Sequence, residues 1–260
     1  MLRGLWSAAS GMSAQKLTID VIANNLANVN TSGFKKSRAD FQDLMYQTTT
    51  QAGSPTTSGG TMPTGVQIGM GTVPAGVHKM FSQGDFKGTQ NELDLAIEGK
   101  GFYKIINNDE EVYTRAGNFK LDADGYVVTN NGDKLQPEMT IPAGTVNISV
   151  DKTGTVTAFD ATGQGSSIGN IELYNFPNPA GLYSMGQNLL RASDASGDPS
   201  AGTPGSDGLG TIGQGFIEMS NVDVVEEMVS MIMAQRAYEI TSKAIQTADN
   251  MMQIANNLKR

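Results

Sequence analysis

Residues 220–252 read SNVDVVEEMVSMIMAQRAYEITSKAIQTADNMM, with an apolar side chain at every seventh position from Val224 onward. Two turns of an α-helix take about seven residues, so this repeat makes a seam along one helix face. The seam consists of Val224, Met231, Tyr238, Ile245 and Met252. The pattern predicts a helix from about Asp223 to Leu258, roughly 50 Å long at 1.5 Å per residue.

A second apolar row lies on the other side of the predicted C-terminal helix, about 200° away at 100° per residue. It consists of Met233, Ala237, Ile240, Ala244 and Met251. A helix that is apolar on two sides needs more than one partner. This favours a place in the wall of a multi-subunit assembly.

The N-terminal end carries a matching seam, formed by Leu5, Met12, Ile19 and Leu26. It predicts a helix from residue 3 to about residue 28. An asparagine-rich run followed by Gly33 is the predicted stop, since Asn and Gly tolerate the left-handed conformation. Terminal helices with apolar seams indicate ends that pair with each other and with other copies, hence assembly rather than catalysis.

Composition excludes several kinds of chemistry. The 260 residues include no cysteine and one histidine, His78, so one subunit cannot build a disulfide, a Cys–His pair or a multi-histidine metal site. The net charge of −8 falls almost entirely on residues 31–220, and basic clusters are short. We therefore expect no nucleic-acid surface. No apolar run is long enough for a cleaved signal peptide or a membrane span.

The middle of the chain predicts β structure. Between residues 77 and 190, short runs rich in β-branched residues alternate with turn signals such as Asp124-Gly125, Asn131-Gly132 and Thr153-Gly154. Residues 46–76 are rich in Thr, Gly, Ser and Pro, which is typical of a flexible linker or of an arm that orders against a neighbouring subunit. Residues 193–215 are predicted to be a loop.

These patterns together predict an α+β fold. Residues 1–30 and 221–260 would form a discontinuous, coiled-coil-like helical domain. Residues 31–76 and 205–220 would form an extended connector. Residues 77–204 would form an inserted, mainly antiparallel β domain, a small barrel or sandwich.

No motif supports an active site. Residues 208–213 match the dinucleotide pattern G-x-G-x-x-G, but a Pro/Gly/Ser loop precedes them where a strand is required. Asp122-Ala123-Asp124-Gly125 is better explained as a hairpin turn than as a calcium loop. We expect no catalytic residue, no cofactor and no metal.

Several long segments resemble the flagellar rod and hook family. The two longest are LTIDVIANNLANVNTSGFKKSRADF (17–41) and the quoted stretch 220–252. LDLAIEGKGFYKI (93–105), YTRAGNFKLDADGYVVT (113–129) and LQPEMTIPAG (135–144) resemble it as well. Within the family, the chain length and MPTGVQIGMGTV (62–73) match distal-rod members better than proximal-rod or hook members. Thr241 stands where the family pattern leads us to expect Asn.

The resemblance implies a subunit of the distal rod, stacked helically into a hollow, rigid drive shaft. Its partners would be further copies of itself, other rod proteins and the hook protein at its ends, the P- and L-ring proteins where present, and the flagellar type III export apparatus. It would lie in the basal body of the bacterial flagellum, without insertion into a membrane. The insert at 46–65 would stiffen the shaft.

We expect the assembly interface to combine the seams with the motif residues near them. The expected residues are Leu5, Met12, Ile19, Ile22, Asn24, Asn25, Leu26, Asn28, Val29, Gly33, Phe34, Met231, Arg236, Tyr238, Glu239, Ile245 and Met252. The asparagine amides would fix the register of neighbouring helices, or else only cap a helix. The alternatives for function are another axial flagellar protein (proximal rod or hook) and a secreted β-rich surface adhesin; a glycan hydrolase ranks third.

Overall fold

A computed structural model of the chain describes residues 2–55 and 60–257. They form two compact units. The first contains the chain up to Leu26, Ser37–His78 and the chain from Val224 onward, and the second contains Ala27–Lys36 and Lys79–Asp223. The three-part division with a separate connector stays a prediction.

Two long helices belong to the first unit. Helix α1 spans Leu2–Ala27 and helix α2 spans Val224–Asn257. Neither contains proline, and Glu226 and Glu227 lie in the first turn of α2, where the helix dipole favours negative charge. The predicted bounds are confirmed to about one residue; the expected end of α2 at Leu258 lies outside the described residues.

The end of α1 differs in detail from the predicted stop. The helix ends at Ala27, and the Asn28 carbonyl accepts the Thr31 backbone N–H at 3.1 Å. None of the asparagines in the run has a positive φ, whereas Gly33, six residues beyond the helix, has φ +69°. The left-handed residue therefore belongs to the following turn and not to the helix cap.

Four strands complete the first unit: β1 (Ser37–Asp43), β2 (Tyr46–Thr50), β3 (Val66–Gly69) and β4 (Thr72–Lys79, whose last residue belongs to the second unit). Strand β1 pairs with β4, and β2 pairs antiparallel with β3, with Tyr46 opposite Gly69. The prediction of a flexible linker over 46–76 is therefore wrong for these strands, which pair within their own chain. Thr side chains, which favour a pleated surface, supply much of β2.

The second unit is built from short strands. They are β5 (Phe86–Gly88), β6 (Leu95–Glu98), β7 (Tyr103–Asn107), β8 (Glu110–Thr114), β9 (Lys120–Leu121), β10 (Val127–Val128), β11 (Lys134–Gln136), β12 (Thr145–Val150), β13 (Thr155–Asp160), β14 (Gly165–Asn170), β15 (Leu173–Asn175), β16 (Tyr183–Gly186), β17 (Leu189–Arg191), β18 (Ser200–Gly202), β19 (Thr211–Gln214) and β20 (Phe216–Glu218). A short 3₁₀ turn, Pro179–Gly181, lies between β15 and β16.

The largest sheet of the second unit has the strand order β16-β17-β8-β7-β11-β10-β9, and its pairs are antiparallel. Strands β12, β13 and β14 form a second antiparallel sheet. Smaller pairs are β15 with β18, β6 with β19 and β5 with β20. The three predicted glycine turns do connect β9 to β10, β10 to β11 and β12 to β13. This confirms a mainly antiparallel β domain, and its architecture includes a half-barrel.

The apolar core of the second unit has two parts. The larger surrounds Tyr103 and Phe119, whose rings meet edge to face at a centroid distance of 5.2 Å. The smaller is aromatic and centres on Tyr113 and Phe176, with centroids 4.8 Å apart. Edge-to-face pairs of this kind add to the free energy gained from burial.

The predicted loop at 193–215 contains two strands, so that prediction is wrong for β18 and β19. Strand β19 pairs with β6, with Ile212 opposite Ile97, and both side chains are buried in the larger core. A lone apolar residue among glycines gave too weak a local signal for a strand whose partner lies more than a hundred residues away. No helix within the described residues has the length and apolar character needed to cross a membrane.

Candidate assembly surface

The predicted seam of α2 forms the less exposed side of that helix. Met231, Ile245 and Met252 are half-buried, while Val224 and Tyr238 are exposed, at 39% and 42%. Ala234, between Met231 and Tyr238, is buried, and so is Glu227, two turns before Ala234. Successive residues of the set Glu227, Met231, Ala234 and Tyr238 are four, three and four positions apart, as on a helix face that packs against another element.

The opposite side of α2 carries large apolar side chains that face solvent in the single subunit. Ile240 is 68% exposed, and Val225, Val229, Ile232, Met233, Met251 and Ile254 are each more than half exposed. Complete burial of one such side chain stabilises by about 1.5–3 kcal/mol. The two apolar sides predicted for this helix therefore have different surroundings, one partly covered and the other open.

Helix α1 shows the same asymmetry on a smaller scale. Its seam residues Leu5, Met12, Ile19 and Leu26 are half-buried. Ile22 is buried and Val29, just past the helix, is half-buried. Trp6, the single tryptophan, is 74% exposed on another face. A large aromatic ring left in water is a typical anchor for a protein partner.

Asn25 is the asparagine of the motif that the structure buries. Its amide nitrogen donates to the Ser37 carbonyl at 2.9 Å and to Glu227 Oε2 at 3.1 Å, and its amide oxygen accepts the Ser37 N–H at 2.9 Å. The end of α1 is thereby joined to the start of α2 and of β1. Asn24 is exposed and Asn28 half-buried, so the four amides do not share one environment.

Gly33 and Phe34 lie inside the second unit. The Gly33 N–H donates to the Glu218 carbonyl at 2.8 Å, and Phe34 is buried with Lys79 Nζ 5.4 Å from its ring centroid. Both positions thus have partners within their own subunit.

Arg236 and Glu239 form the predicted ion pair on α2, with Nη1 and Oε2 3.1 Å apart. Both side chains are exposed. In water such a pair contributes well under about 1 kcal/mol.

Sequence reasoning missed the apolar content of the β2–β3 hairpin. Met45, Tyr46, Val66, Ile68 and Met70 are all exposed. The signal was present, because Val66, Ile68 and Met70 alternate with small or polar residues as on one face of a strand. It was obscured by the Thr/Gly/Pro composition around it.

Sequence reasoning also missed a buried charged cluster in the second unit. Lys35, Arg115 and Glu218 are all buried, and Glu218 bonds to both cations. Burial lowers the pKa of Lys35, and the adjacent Glu218 carboxylate opposes that shift. Charged residues distant in sequence gave no local pattern from which this contact could be predicted.

In the part of the chain that the structure describes, no group of three or more His, Asp or Glu side chains could hold a metal ion. The second half of the G-x-G-x-x-G stretch, residues 211–213, belongs to strand β19, and just before it the Gly210 N–H donates to the Lys100 carbonyl at 2.7 Å. The loop before a helix that a dinucleotide site requires is therefore not formed there.

Family models match three parts of the chain. Residues 5–35 match the flagella basal body rod protein model, residues 96–158 the flagellar hook protein FlgE/F/G D1 domain, and residues 214–258 the flagellar basal body rod FlgEFG protein C-terminal model. The first and third matches cover most of α1 and α2.

Curated relatives match the whole chain. Flagellar basal-body rod protein FlgG of Borreliella burgdorferi is 50% identical over 100% of both chains. The FlgG proteins of Caulobacter vibrioides (46%, 99% of this chain and 100% of the relative) and Bacillus subtilis (42%, 100% of both) are also similar. The flagellar hook protein FlgE of Helicobacter mustelae is 47% identical over 52% of this chain and 30% of its own. With these full-length identities, the chain belongs to the family of FlgG flagellar basal-body rod proteins, structural subunits of the distal rod.

Proposed function

We propose that this chain assembles helically with copies of itself into a hollow, rigid shaft that transmits torque from motor to hook and lets exported subunits pass. The observation that carries the proposal is the row of large apolar side chains left open on α2, opposite a seam that is partly covered within the subunit. A neighbouring copy that covers this row removes apolar surface from water, which is the main driving force for association.

In this proposal, one side of α2 makes contacts within the subunit and the other side makes contacts with neighbouring subunits. The seam of Met231, Ile245 and Met252 packs against α1 of the same subunit in a coiled-coil-like manner. The open row around Ile240 packs against helices of neighbouring copies. Asn25 fixes the register between the two helices, because a shift of either helix would break its hydrogen bond to Glu227 of α2.

Exposed motif residues contribute orientation. Arg236 and Glu239, buried between subunits, would exchange water for directional partners on the neighbouring helix. Such pairs specify geometry more than they add affinity.

The β2–β3 hairpin stiffens the shaft. Its exposed apolar residues, including Tyr46 and Ile68, give it a surface on which a neighbouring subunit can pack. Because strands β2 and β3 are already paired within their own chain, their backbone needs no further ordering to act as a rigid contact between copies.

Further partners follow from the family. Other rod proteins and the hook protein would meet the two ends of the shaft, and the P- and L-ring proteins, where present, would surround it. The subunit would reach the basal body through the flagellar type III export apparatus. The match to a hook protein over about half of this chain supports a shared mode of packing along the axis.

Electron microscopy of the purified full-length chain tests the proposal. Straight hollow tubes are expected from the full-length protein and none from a version that lacks residues 1–30 and 221–260. A sharper comparison uses Ile240→Asp and Gln246→Asp, since both side chains are exposed on α2 but only the first is apolar. Tubes from Gln246→Asp together with monomers from Ile240→Asp support the proposal; tubes from both contradict it.

A further inference from the structure

The chain passes between the two units at four places, after Leu26, Lys36, His78 and Asp223. Three of these crossings, after Lys36, His78 and Asp223, lie next to stretches of the second unit: residues 33–36, 79–84 and 218–222. These three stretches are bonded to one another through a small set of side chains. We call Lys35, Arg115, Glu218 and Asn221 the junction clasp.

Glu218 is the centre of the clasp and is 2% exposed. Its Oε1 accepts hydrogen bonds from Lys35 Nζ at 2.6 Å and from the Gly84 N–H at 2.9 Å. Its backbone carbonyl accepts the Gly33 N–H. Glu218, six residues before α2, is thus bonded both to residues 33–35, which follow α1, and to Gly84, which follows β4.

Arg115 anchors the clasp to the β domain. Its Nε donates to Glu218 Oε2 at 2.6 Å. Its other nitrogens donate to the carbonyls of Gly101 and Ile97, at 2.6 and 3.0 Å, and to the Gln83 side chain at 3.1 Å. The guanidinium therefore ties Glu218 to strand β6 and to the segment before β7.

Asn221 repeats the connection closer to α2. Its Oδ1 accepts the Lys36 N–H at 2.7 Å, and its amide nitrogen donates to the Met80 carbonyl and to Ser82 Oγ, both at 2.9 Å. Lys36 and Met80 are also bonded directly, N–H of Met80 to carbonyl of Lys36 at 2.9 Å. Lys35 Nζ also donates to the Ser82 carbonyl at 2.7 Å, which is a further bond between the first and second of the three stretches.

Stability alone does not account for three charges at this place. Burying charges costs desolvation free energy, and a buried ion pair is commonly no more stabilising than apolar residues of the same volume. The second unit already has two apolar cores. What the charges add is direction, because each bond specifies one partner and one geometry.

We propose that Glu218 and Asn221 are positioning residues that make the three junction stretches move as one. Load that passes along the chain between the units is then shared among three bonded stretches, and no single stretch bends as an independent linker. The mechanical part of this inference rests on the proposed function as a rigid shaft; the coupling of the three stretches does not.

Amide hydrogen exchange of the full-length protein tests the coupling. The variants are Glu218→Gln and Asn221→Ala, with Glu110→Gln and Asn131→Ala as controls, since these controls lose one exposed ion pair or hydrogen bond in the same unit. Each clasp variant should speed exchange about tenfold or more at the amides of Gly33, Lys36, Met80 and Gly84 together. The controls should leave these four amides unchanged.

One outcome would show local loss of a hydrogen bond instead of coupling. If only the directly bonded amide responds, Gly84 in Glu218→Gln and Lys36 in Asn221→Ala, the stretches are independent and the proposal is overturned. Exchange at the amides of β7 and β8 reports whether the whole unit has unfolded. If Glu218→Gln does not fold, Asn221→Ala alone tests the coupling, because it removes no buried charge.

Tubes of the wild type and of Asn221→Ala, compared by their curvature in electron micrographs, test the mechanical part. More strongly curved variant tubes support the proposal, and equal curvature overturns the load-sharing role. If the wild type itself forms no tubes, the proposed function fails, while the exchange experiment still decides whether the clasp couples the three stretches.

Discussion

Replacement of Gly33 by alanine probes the close approach of two backbones beside the junction. Gly33 has φ +69°, and a Cβ at this position would lie 2.6 Å from the backbone nitrogen of Ala116 and 2.8 Å from its Cα. Gly132 is the matched control, because it has φ +92° in the same unit, but an added Cβ there would meet no neighbour within 4 Å.

The two substitutions share one cost and differ in another. An L residue in the left-handed conformation costs about 1–2 kcal/mol, which applies to both. At Gly33 the methyl group and Ala116 must also move apart, and the obstacle is backbone rather than a flexible side chain. Overpacking of this kind typically adds about 1–3 kcal/mol. We expect a loss of about 2–5 kcal/mol for Gly33→Ala and about 1–2 kcal/mol for Gly132→Ala.

Urea unfolding followed by the near-ultraviolet dichroism of tyrosine measures both losses. Tyr103 and Tyr113 are buried in the second unit, whereas Tyr46 and Tyr238 of the first unit are exposed, so the tyrosine signal comes mainly from the second unit. Equal slopes against urea would show that only stability has changed. Equal losses for the two variants would refute the reasoning, since the contact with Ala116 would then cost nothing.

Three further outcomes follow from the structure. Asn25→Ala should destabilise the first unit by about 2–4 kcal/mol, because it removes three hydrogen bonds, one of them to the buried Glu227 carboxylate. The control Asn250→Ala changes an exposed residue of α2 and should have little effect. The midpoint of urea unfolding, followed by helical circular dichroism, measures both. Burial raises the pKa of Tyr113 and of Tyr174 to about 12. The folded state therefore keeps protons that unfolded tyrosine releases near pH 10. The contribution of these two tyrosines to the stability of the second unit should be complete below about pH 10 and be lost between about pH 10 and 12, and a urea midpoint that does not fall over that range would contradict this. Deletion of residues 46–65 should give curved or flexible tubes in electron micrographs, and straight tubes would count against the stiffening role.

The sequence was sufficient where structure depends on local repetition. The seven-residue seams predicted both terminal helices to about one residue, and Asn131-Gly132 and similar pairs predicted hairpin turns that the structure contains. Periodicity and turn chemistry act over a few residues, so a single chain displays them directly.

The sequence was insufficient where a residue is defined by a distant partner. Ile212 belongs to a strand because Ile97 lies opposite, and Glu218 is buried because Lys35 and Arg115 satisfy it. For the assembly surface, the seams were predicted, but the sequence could not distinguish Asn25, buried against Ser37 and Glu227, from Asn24 beside it. Such differences arise from tertiary packing and leave no trace in spacing.

The bond between Asn25 and Glu227 joins residues 202 positions apart. A chain delivered from its N-terminus therefore presents α1 long before the helix that completes its surroundings exists. Nearly all residues of the second unit lie between the two helices, so they also precede α2 in the chain. The first unit is complete only once α2 is present. In the proposed assembly, a chain interrupted before α2 would therefore lack the surface through which copies join, and unfinished subunits would be excluded from the polymer without a separate checking step.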